Sequence, residues 1–171
     1  MDIPVAMTAP AAGHVADAPG ATIGAPAPLL VAYATQTGIA ELHARDTCRA
    51  LQAAGVPTRL LDFDSLSLPM LHAADRALFL VSTSYDGDPP DMAEAFNRDA
   101  MGRSAQLAHL RYGLLMLGDS YYDDFCGFGR RLQRWLQASG ARPLFEPVAM
   151  DDEDPAALQR WRVGIGATVL R

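Results

Sequence analysis

Short apolar runs alternate with segments of helical period along most of this chain. Five apolar runs predict β-strands at residues 29–34, 56–63, 76–82, 112–117 and 144–150. Apolar residues that recur every three or four positions predict helices at residues 39–54, 91–101, 128–138 and from 155 onward. Gly55 and Gly140 follow two of these helices, at positions where glycine commonly ends a helix.

This alternation predicts an α/β fold, a doubly wound parallel sheet of five strands with helices on both faces. The run 56–63 places polar residues at alternate positions, which is typical of an edge strand, whereas 76–82 contains the continuous apolar run of a central strand. Ligands of such sheets bind beyond the carboxyl ends of the strands. We therefore expect the functional residues in four loops, at 35–41, 82–91, 117–127 and 150–154.

The loop after the first predicted strand places two hydroxyls, an amide and a glycine at a helix N-terminus. Its sequence is Thr35-Gln36-Thr37-Gly38-Ile39-Ala40. Free backbone N–H groups and the helix dipole favour an anion at such a position. All 14 basic residues of the chain are arginine, which excludes a P-loop lysine or a Schiff-base lysine. The loop predicts a phosphate held by neutral donors, although either threonine could also serve as the helix N-cap.

The loops after the third and fourth predicted strands combine small residues, aromatics and acids. They read Ser82-Thr83-Ser84-Tyr85-Asp86-Gly87-Asp88-Pro89-Pro90-Asp91 and Leu117-Gly118-Asp119-Ser120-Tyr121-Tyr122-Asp123-Asp124-Phe125-Cys126-Gly127. Ten of the 20 acidic residues fall within 86–91, 119–124 and 151–154, which is more clustering than polar loops alone explain. These segments predict an acidic rim along one edge of the sheet.

Taken in order, these loops resemble the flavodoxin family, most closely short-chain flavodoxins and the FMN-binding domains of diflavin reductases such as the sulfite reductase flavoprotein. The likeness covers nearly all of residues 29–165. It implies a flavodoxin-like sheet with strand order 2-1-3-4-5 and FMN as the cofactor. It also implies that residues 35–40 bind the phosphate.

The resemblance implies further flavin contacts in the remaining loops. They are Ser82, Thr83, Ser84, Tyr85, Leu117, Gly118, Asp119, Tyr122, Phe125, Cys126 and Asp151. Among these, Tyr122 matches the family's stacking tyrosine, Asp119 a polar position near the ribityl chain or pyrimidine, and Asp151 the ribityl-binding aspartate. The resemblance implies no catalytic side chain and no metal site.

Tyr85 departs from the family pattern. Many relatives carry a glycine after the residue that matches Ser84, and the peptide of that glycine rearranges when the flavin is reduced. Because a tyrosine resists positive φ, we expect either a rearrangement elsewhere, near Gly87, or weaker stabilisation of the one-electron-reduced flavin. Tyr85 could also supply a second stacking ring, or close the loop against Pro89 or Phe125.

The implied function is single-electron transfer between a separate flavin reductase and an acceptor protein that docks on the acidic rim. An FMN-dependent quinone or NAD(P)H reductase, and a flavodoxin-like regulatory domain that has lost FMN, are alternatives. No GxGxxG dinucleotide fingerprint occurs in the chain. A response-regulator receiver, which shares the topology, needs a lysine and is close to excluded.

Residues 1–28 differ in composition from the rest. Ala, Pro and Gly make up 17 of these 28 residues, which predicts a disordered tail before a domain at 29–171. The net charge of −6 argues against nucleic-acid binding, and no apolar run reaches membrane-spanning length. Cys48 and Cys126 match no metal spacing, and a reduced, cytoplasmic compartment is the simplest interpretation, although two cysteines could also form a disulfide. We also expect a monomer.

Overall fold

The computed structural model describes residues 27–170. The predicted tail at 1–28 lies outside the described residues except for its last two positions. The strands are β1 (Leu29–Ala34), β2 (Thr58–Asp62), β3 (Arg76–Ser82), β4 (Arg111–Gly118), β5 (Arg142–Pro143) and β6 (Val148–Asp151). The helices are α1 (Ile39–Ala53), α2 (Leu68–Ala73), α3 (Glu94–Asp99), α4 (Gly127–Ala138) and α5 (Pro155–Thr168), with a 3₁₀ turn at Asp91–Ala93 before α3.

The sheet is parallel throughout and its order is β2-β1-β3-β4-β5, with β6 also paired to β4. The predicted order is therefore confirmed, with β3 in the centre and β2 at the edge. Alternate residues of each strand face opposite layers of helices. Leu30 and Ala32 of β1 pack in the layer that holds α2, α3 and α4, whereas Leu29 and Val31 pack in the layer that holds α1 and α5.

The expectation of one unbroken fifth strand at 144–150 is wrong. Two short strands replace it: β5 pairs with the start of β4, and β6 pairs with its end. Between them the ring of Phe145 packs 5.5 Å from the ring of Trp161 on α5. A Cβ at Gly164 would overlap this ring, and a Cβ at Gly113 would lie 3.1 Å from its Cζ atom. The interruption thus lets Phe145 fill the space between β4 and α5.

The sequence pattern also missed α2. Its six residues include Pro69 near the N-terminus and offer one fully buried apolar side chain, Leu71. With fewer than two turns, α2 is too short to show the helical period of apolar residues. The helix predicted at 91–101 is present in shorter form, as the 3₁₀ turn and α3.

Replacing Gly164 with alanine should destabilise the fold. The added Cβ would push the Phe145 ring out of its place, and overpacking of this kind typically costs about 1–3 kcal/mol in the free energy of unfolding. At Gly166, two residues along the same helix, an added Cβ would meet nothing within 4 Å. Gly166→Ala should therefore be neutral or stabilising by up to about 1 kcal/mol. Urea denaturation of both variants tests this, and equal stabilities would contradict the placement of Phe145.

Candidate functional site

A cleft of about 260 Å³ opens at the carboxyl ends of β1, β3 and β4. Eleven of the predicted site residues line it, namely Gln36, Thr37, Ile39, Ser82, Thr83, Tyr85, Leu117, Gly118, Asp119, Tyr122 and Cys126. Three lining residues were not predicted, namely Asp124, Asp152 and Glu153. The structure therefore brings all four predicted loops together around one cavity, although the fourth contributes Asp152 and Glu153 and not the predicted Asp151.

The loop after β1 is shaped by Gly38. This residue is the N-cap of α1 and has a φ of 94°, in the left-handed region that favours glycine. No side chain caps the helix, so the interpretation of Thr35 or Thr37 as the N-cap is wrong. The Thr35 hydroxyl instead accepts a hydrogen bond from the Gly38 N–H, at 2.9 Å. This contact turns the chain into the helix and holds the loop in a fixed shape.

The first amides of α1 have no acceptor among residues 27–170. The Leu42 N–H donates to the Gly38 carbonyl at 3.0 Å, but no acceptor is found for the N–H groups of Ile39, Ala40 and Glu41. Ala40 is fully buried, so its unpaired amide carries a cost that an anion would remove. The Glu41 carboxylate, in the first turn of α1, pairs with Arg45 at 2.6 Å. The loop thus presents free donors at the positive end of a helix dipole.

The loop after β3 forms a tight hairpin. Ser84 and Asp88 exchange two backbone hydrogen bonds, of 2.8 and 2.9 Å, and the Gly87 N–H donates to the Tyr85 carbonyl at 2.9 Å. Tyr85 has a φ of 42°, so the expectation that a tyrosine would avoid positive φ here is wrong. Closure of the three-residue turn imposes this conformation. The Tyr85 side chain is 75% exposed at the mouth of the cleft.

The same hairpin is fastened to both of its neighbouring loops. The Ser84 hydroxyl donates to the Gln36 side-chain carbonyl at 3.2 Å, which links it to the loop before α1. On the other side, the Asp124 side chain lies so close to Gly87 that a Cβ at this glycine would overlap the carboxylate. The three loops therefore form one connected wall rather than three independent segments.

The loop after β4 folds back over the end of its strand. Gly118 permits this, because a Cβ there would lie 2.8 Å from the backbone nitrogen of Cys126 and 2.9 Å from its Sγ atom. Cys126 is buried, has a φ of 56°, and donates its thiol to the Met116 carbonyl at 3.4 Å. Burial raises the pKa of Cys126 to about 11. The thiol is therefore protonated at neutral pH and acts as a structural donor, not as a nucleophile.

Two tyrosines reach the cleft from neighbouring loops. Tyr85 and Tyr122 both line the cleft, Tyr122 is 40% exposed, and the exposed Tyr121 packs edge-on against Tyr122 at 5.7 Å. Asp119 fixes this turn, since its carboxylate accepts from the Tyr121 N–H at 2.8 Å and its carbonyl from the Tyr122 N–H at 3.1 Å. Two exposed aromatic rings at one cleft suit a planar ligand that stacks between or against them.

The four acidic residues at 151–154 have three different roles. The Asp151 carboxylate accepts from the Ser120 N–H at 2.8 Å, and hydrogen bonding from Ser120 lowers the pKa of Asp151. Asp152, with a φ of 50°, and Glu153 line the cleft, whereas Asp151 does not. Asp154 caps α5 through the amides of its first turn, at 2.9 and 3.2 Å. An aspartate directly before a proline is a helix-start signal that the sequence contained.

Six of the predicted site residues do not line the cleft but lie next to residues that do. They are Thr35, Gly38, Ala40, Ser84, Phe125 and Asp151. Thr35 and Gly38 shape the first loop, Ser84 closes the hairpin, and Phe125 packs half-buried against the core under Arg130, whose guanidinium carbon lies 5.8 Å from the ring centroid. These residues hold the wall of the cleft in position.

Comparison with known proteins shows which family this chain belongs to. Residues 31–163 match the family model described as flavodoxin. The chain belongs to the flavodoxin family. Among curated relatives, it is 34% identical over 135 residues to the sulfite reductase (NADPH) flavoprotein alpha-component of Vibrio cholerae, covering 78% of this chain and 22% of that protein. It is 36% identical over 129 residues to human methionine synthase reductase, covering 72% of this chain and 18% of the relative.

Solved flavodoxins share the fold. A flavodoxin of Streptococcus pneumoniae TIGR4 superposes with a TM-score of 0.71 at 22% identity, over 84% of this chain and 98% of its own. A cysteine-to-serine mutant of the Pseudomonas aeruginosa flavodoxin gives 0.71 at 24% identity, over 84% and 99%. The chain spans about a fifth of the length of the two curated relatives named above.

Family membership identifies FMN as the cofactor of this chain, and the residues present fit it. The unpaired amides of Ile39, Ala40 and Glu41 match a phosphate, and the two exposed tyrosines match an aromatic ring system. The described part of the chain contains no helix long and apolar enough to cross a membrane. Within the same residues, no group of three His, Cys, Asp or Glu is placed to hold a metal ion.

Proposed function

We propose that this chain is an FMN-dependent electron carrier. The observation that supports this most is the set of unpaired α1 amides beside a cleft walled by two exposed tyrosines. When bound, FMN supplies one- and two-electron chemistry that no side chain offers. The protein then has to bind the cofactor, orient it and set its electrostatic surroundings. Neither alternative, a quinone or NAD(P)H reductase or a domain that has lost FMN, is favoured by a particular contact.

The residues divide into three binding roles in this proposal. The amides and hydroxyls of residues 35–40 hold the phosphate without a cationic side chain. Tyr122 and Tyr85, which both line the cleft, contact the ring system in this proposal, so Tyr85 acts as the second stacking ring. Asp119, Asp152 and Glu153 line the cleft and accept hydrogen bonds from the ribityl hydroxyls in this proposal. The family resemblance implied Asp151 for the ribityl chain, and Asp119 for the ribityl chain or the pyrimidine.

The acidic rim, residues 86–91, 119–124 and 151–154, adds an electrostatic role. A unit charge about 10 Å from the ring changes the energy of a negative charge there by roughly 0.4–1.7 kcal/mol, for effective dielectrics of about 80 to 20. The rim therefore makes full reduction of the flavin harder and the reduced protein a stronger donor. It also attracts a partner with a basic patch toward the flavin edge.

The donor and the acceptor are proposed to be proteins other than the domain at 29–171. No GxGxxG fingerprint of a nicotinamide site occurs in the sequence of that domain. We propose a flavin reductase as the donor, a redox protein that docks on the rim as the acceptor, and a cytoplasmic, monomeric carrier.

Electron transfer should slow as salt rises. The FMN-loaded protein is reduced photochemically and mixed with cytochrome c, a basic haem protein, at increasing ionic strength. The second-order rate constant should fall at least about tenfold between low and high salt, because the rim charges are screened. Menadione, a neutral acceptor, serves as the control and should show little change. A cytochrome c rate that stays flat would contradict docking on the rim.

A further inference from the structure

Helix α4 carries three arginines and no acidic residue. Arg130 and Arg134 are four positions apart, and Arg131 and Arg134 three, so like charges are neighbours on the helix surface. Arg130 and Arg131 also lie near the helix N-terminus, where the dipole favours acids. Both features work against the stability of α4. Residues that lower the stability of their own helix are typical of functional surfaces.

The segment before β4 extends this basic surface. The Trp135 indole donates to the Arg103 carbonyl at 2.7 Å, and the Leu107 N–H donates to the Ser139 carbonyl at 2.8 Å, so residues 103–107 lie against the helix. Neither residues 100–118 nor residues 125–145 contain an acidic side chain. We call Arg103, Arg130, Arg131 and Arg134 the α4 arginine face.

These arginines are not neutralised within the described part of the chain. All ion pairs found among residues 27–170 involve other arginines, namely Arg45, Arg49 and Arg98. Arg130 and Arg131 lie instead over the rings of Phe125 and Phe128, with guanidinium carbons 5.8 and 6.0 Å from the ring centroids. Stacking of this kind keeps the planar guanidinium group in place while leaving its N–H donors available.

The α4 arginine face adjoins the cleft. α4 begins directly after Cys126, which lines the cleft, and Phe125 beneath Arg130 belongs to the same loop. The acidic residues of 119–124 come immediately before it in the chain. The acidic residues of 119–124 therefore lie next to the end of the α4 arginine face that begins at the cleft, and the rest of the face extends away from the cleft along α4.

We propose that the α4 arginine face docks a partner protein through a carboxylate-rich surface. A carboxylate can accept two parallel hydrogen bonds from one guanidinium group, and the α4 arginine face carries several guanidinium groups close together. A nucleic acid fits less well, because a protein can confine its carboxylates to a patch that matches the arginines, whereas the phosphates of a nucleic acid continue along its whole length and would also meet the acidic rim of a chain of net charge −6. That this partner is a redox protein, and a different one from the acceptor on the acidic rim, rests on the proposed function. Docking of a carboxylate-rich surface on the α4 arginine face does not depend on it.

Two triple variants with the same change in charge test the proposal. Arg130→Gln, Arg131→Gln and Arg134→Gln remove three charges from α4. Arg45→Gln, Arg49→Gln and Arg98→Gln, the control, remove three charges that are already paired. The probe is poly-L-glutamate, titrated at low ionic strength into protein free of flavin, so that failure of FMN binding leaves the result readable. Thermal melting checks folding, and the α4 variant should melt no lower than the wild type.

Wild type and control should bind poly-L-glutamate, and the α4 variant should bind at least about tenfold more weakly. With FMN loaded, reduction of cytochrome b5, an acidic haem protein, should slow to a similar extent in the α4 variant and not in the control. Equal losses in both variants would overturn the proposal. So would a short DNA duplex that binds more tightly than poly-L-glutamate through the same arginines, or self-association at low salt that the α4 variant abolishes.

Discussion

Gly38→Val is expected to weaken FMN binding by at least about 100-fold, or about 2.7 kcal/mol. Gly38 has a φ of 94° and a Cβ there would meet nothing within 4 Å, so the cost arises from the backbone and not from a clash. A β-branched residue strongly disfavours this region. The loop must therefore turn differently into α1, and the free amides of Ile39 and Ala40 no longer converge on one phosphate. Calorimetric titration of the flavin-free variant with FMN measures the loss.

Gly55 provides a matched control at the other end of the same helix. It also has a positive φ, of 81°, and open space around a Cβ. Gly55→Val should destabilise the protein about as much as Gly38→Val in urea denaturation, but leave the affinity for FMN unchanged within about twofold. If both variants lost FMN equally, general destabilisation would explain the effect, and the loop before α1 would not be the phosphate site.

Gly118→Ala is expected to weaken FMN binding by about 10- to 100-fold. The added Cβ would lie 2.8 Å from the backbone nitrogen of Cys126, an atom that cannot rotate away. The loop that carries Asp119 and Tyr122 must shift as a whole, at a cost of about 1–3 kcal/mol. Tyr122 then no longer faces the cleft. Loss of flavin affinity and a changed visible spectrum of any bound flavin would report the displacement.

Gly164→Ala serves as the comparison for this second variant. It also overpacks a glycine, but against the Phe145 ring and not against the flavin loop. Its stability should fall while its FMN affinity stays near that of the wild type. Unchanged affinity in Gly118→Ala would show that the loop after β4 does not contact the flavin.

Most of the fold could be predicted because its long elements carry clear periods. β1, β3 and β4 are apolar runs buried on both faces, and α1 and α4 each bury one stripe. The fifth strand could not be predicted, because its interruption depends on space left by two glycines distant in sequence, Gly113 and Gly164. The local sequence pattern does not show that the Phe145 ring fills the space between β4 and α5.

The position of the site could be predicted more reliably than its details. The loops converge because parallel strands end at one edge of the sheet. Within the acidic run, however, Asp151, Asp152 and Glu153 look alike in sequence. The positive φ of Asp152 accompanies the change in direction that separates a carboxylate bound to Ser120 from two that line the cleft. Tyr85 was misjudged for a similar reason, since closure of the Ser84–Asp88 hairpin outweighs the backbone preference of one residue.

Titration of the flavin-free protein with FMN and, separately, with riboflavin tests the central claim most directly. Riboflavin shares the ring system and ribityl chain but lacks the phosphate. We expect one FMN per chain and an affinity for FMN at least about 100-fold higher than for riboflavin, because the free amides of α1 meet only the phosphate. Failure to bind FMN, or equal affinity for the two flavins, would contradict a phosphate cradle at the N-terminus of α1.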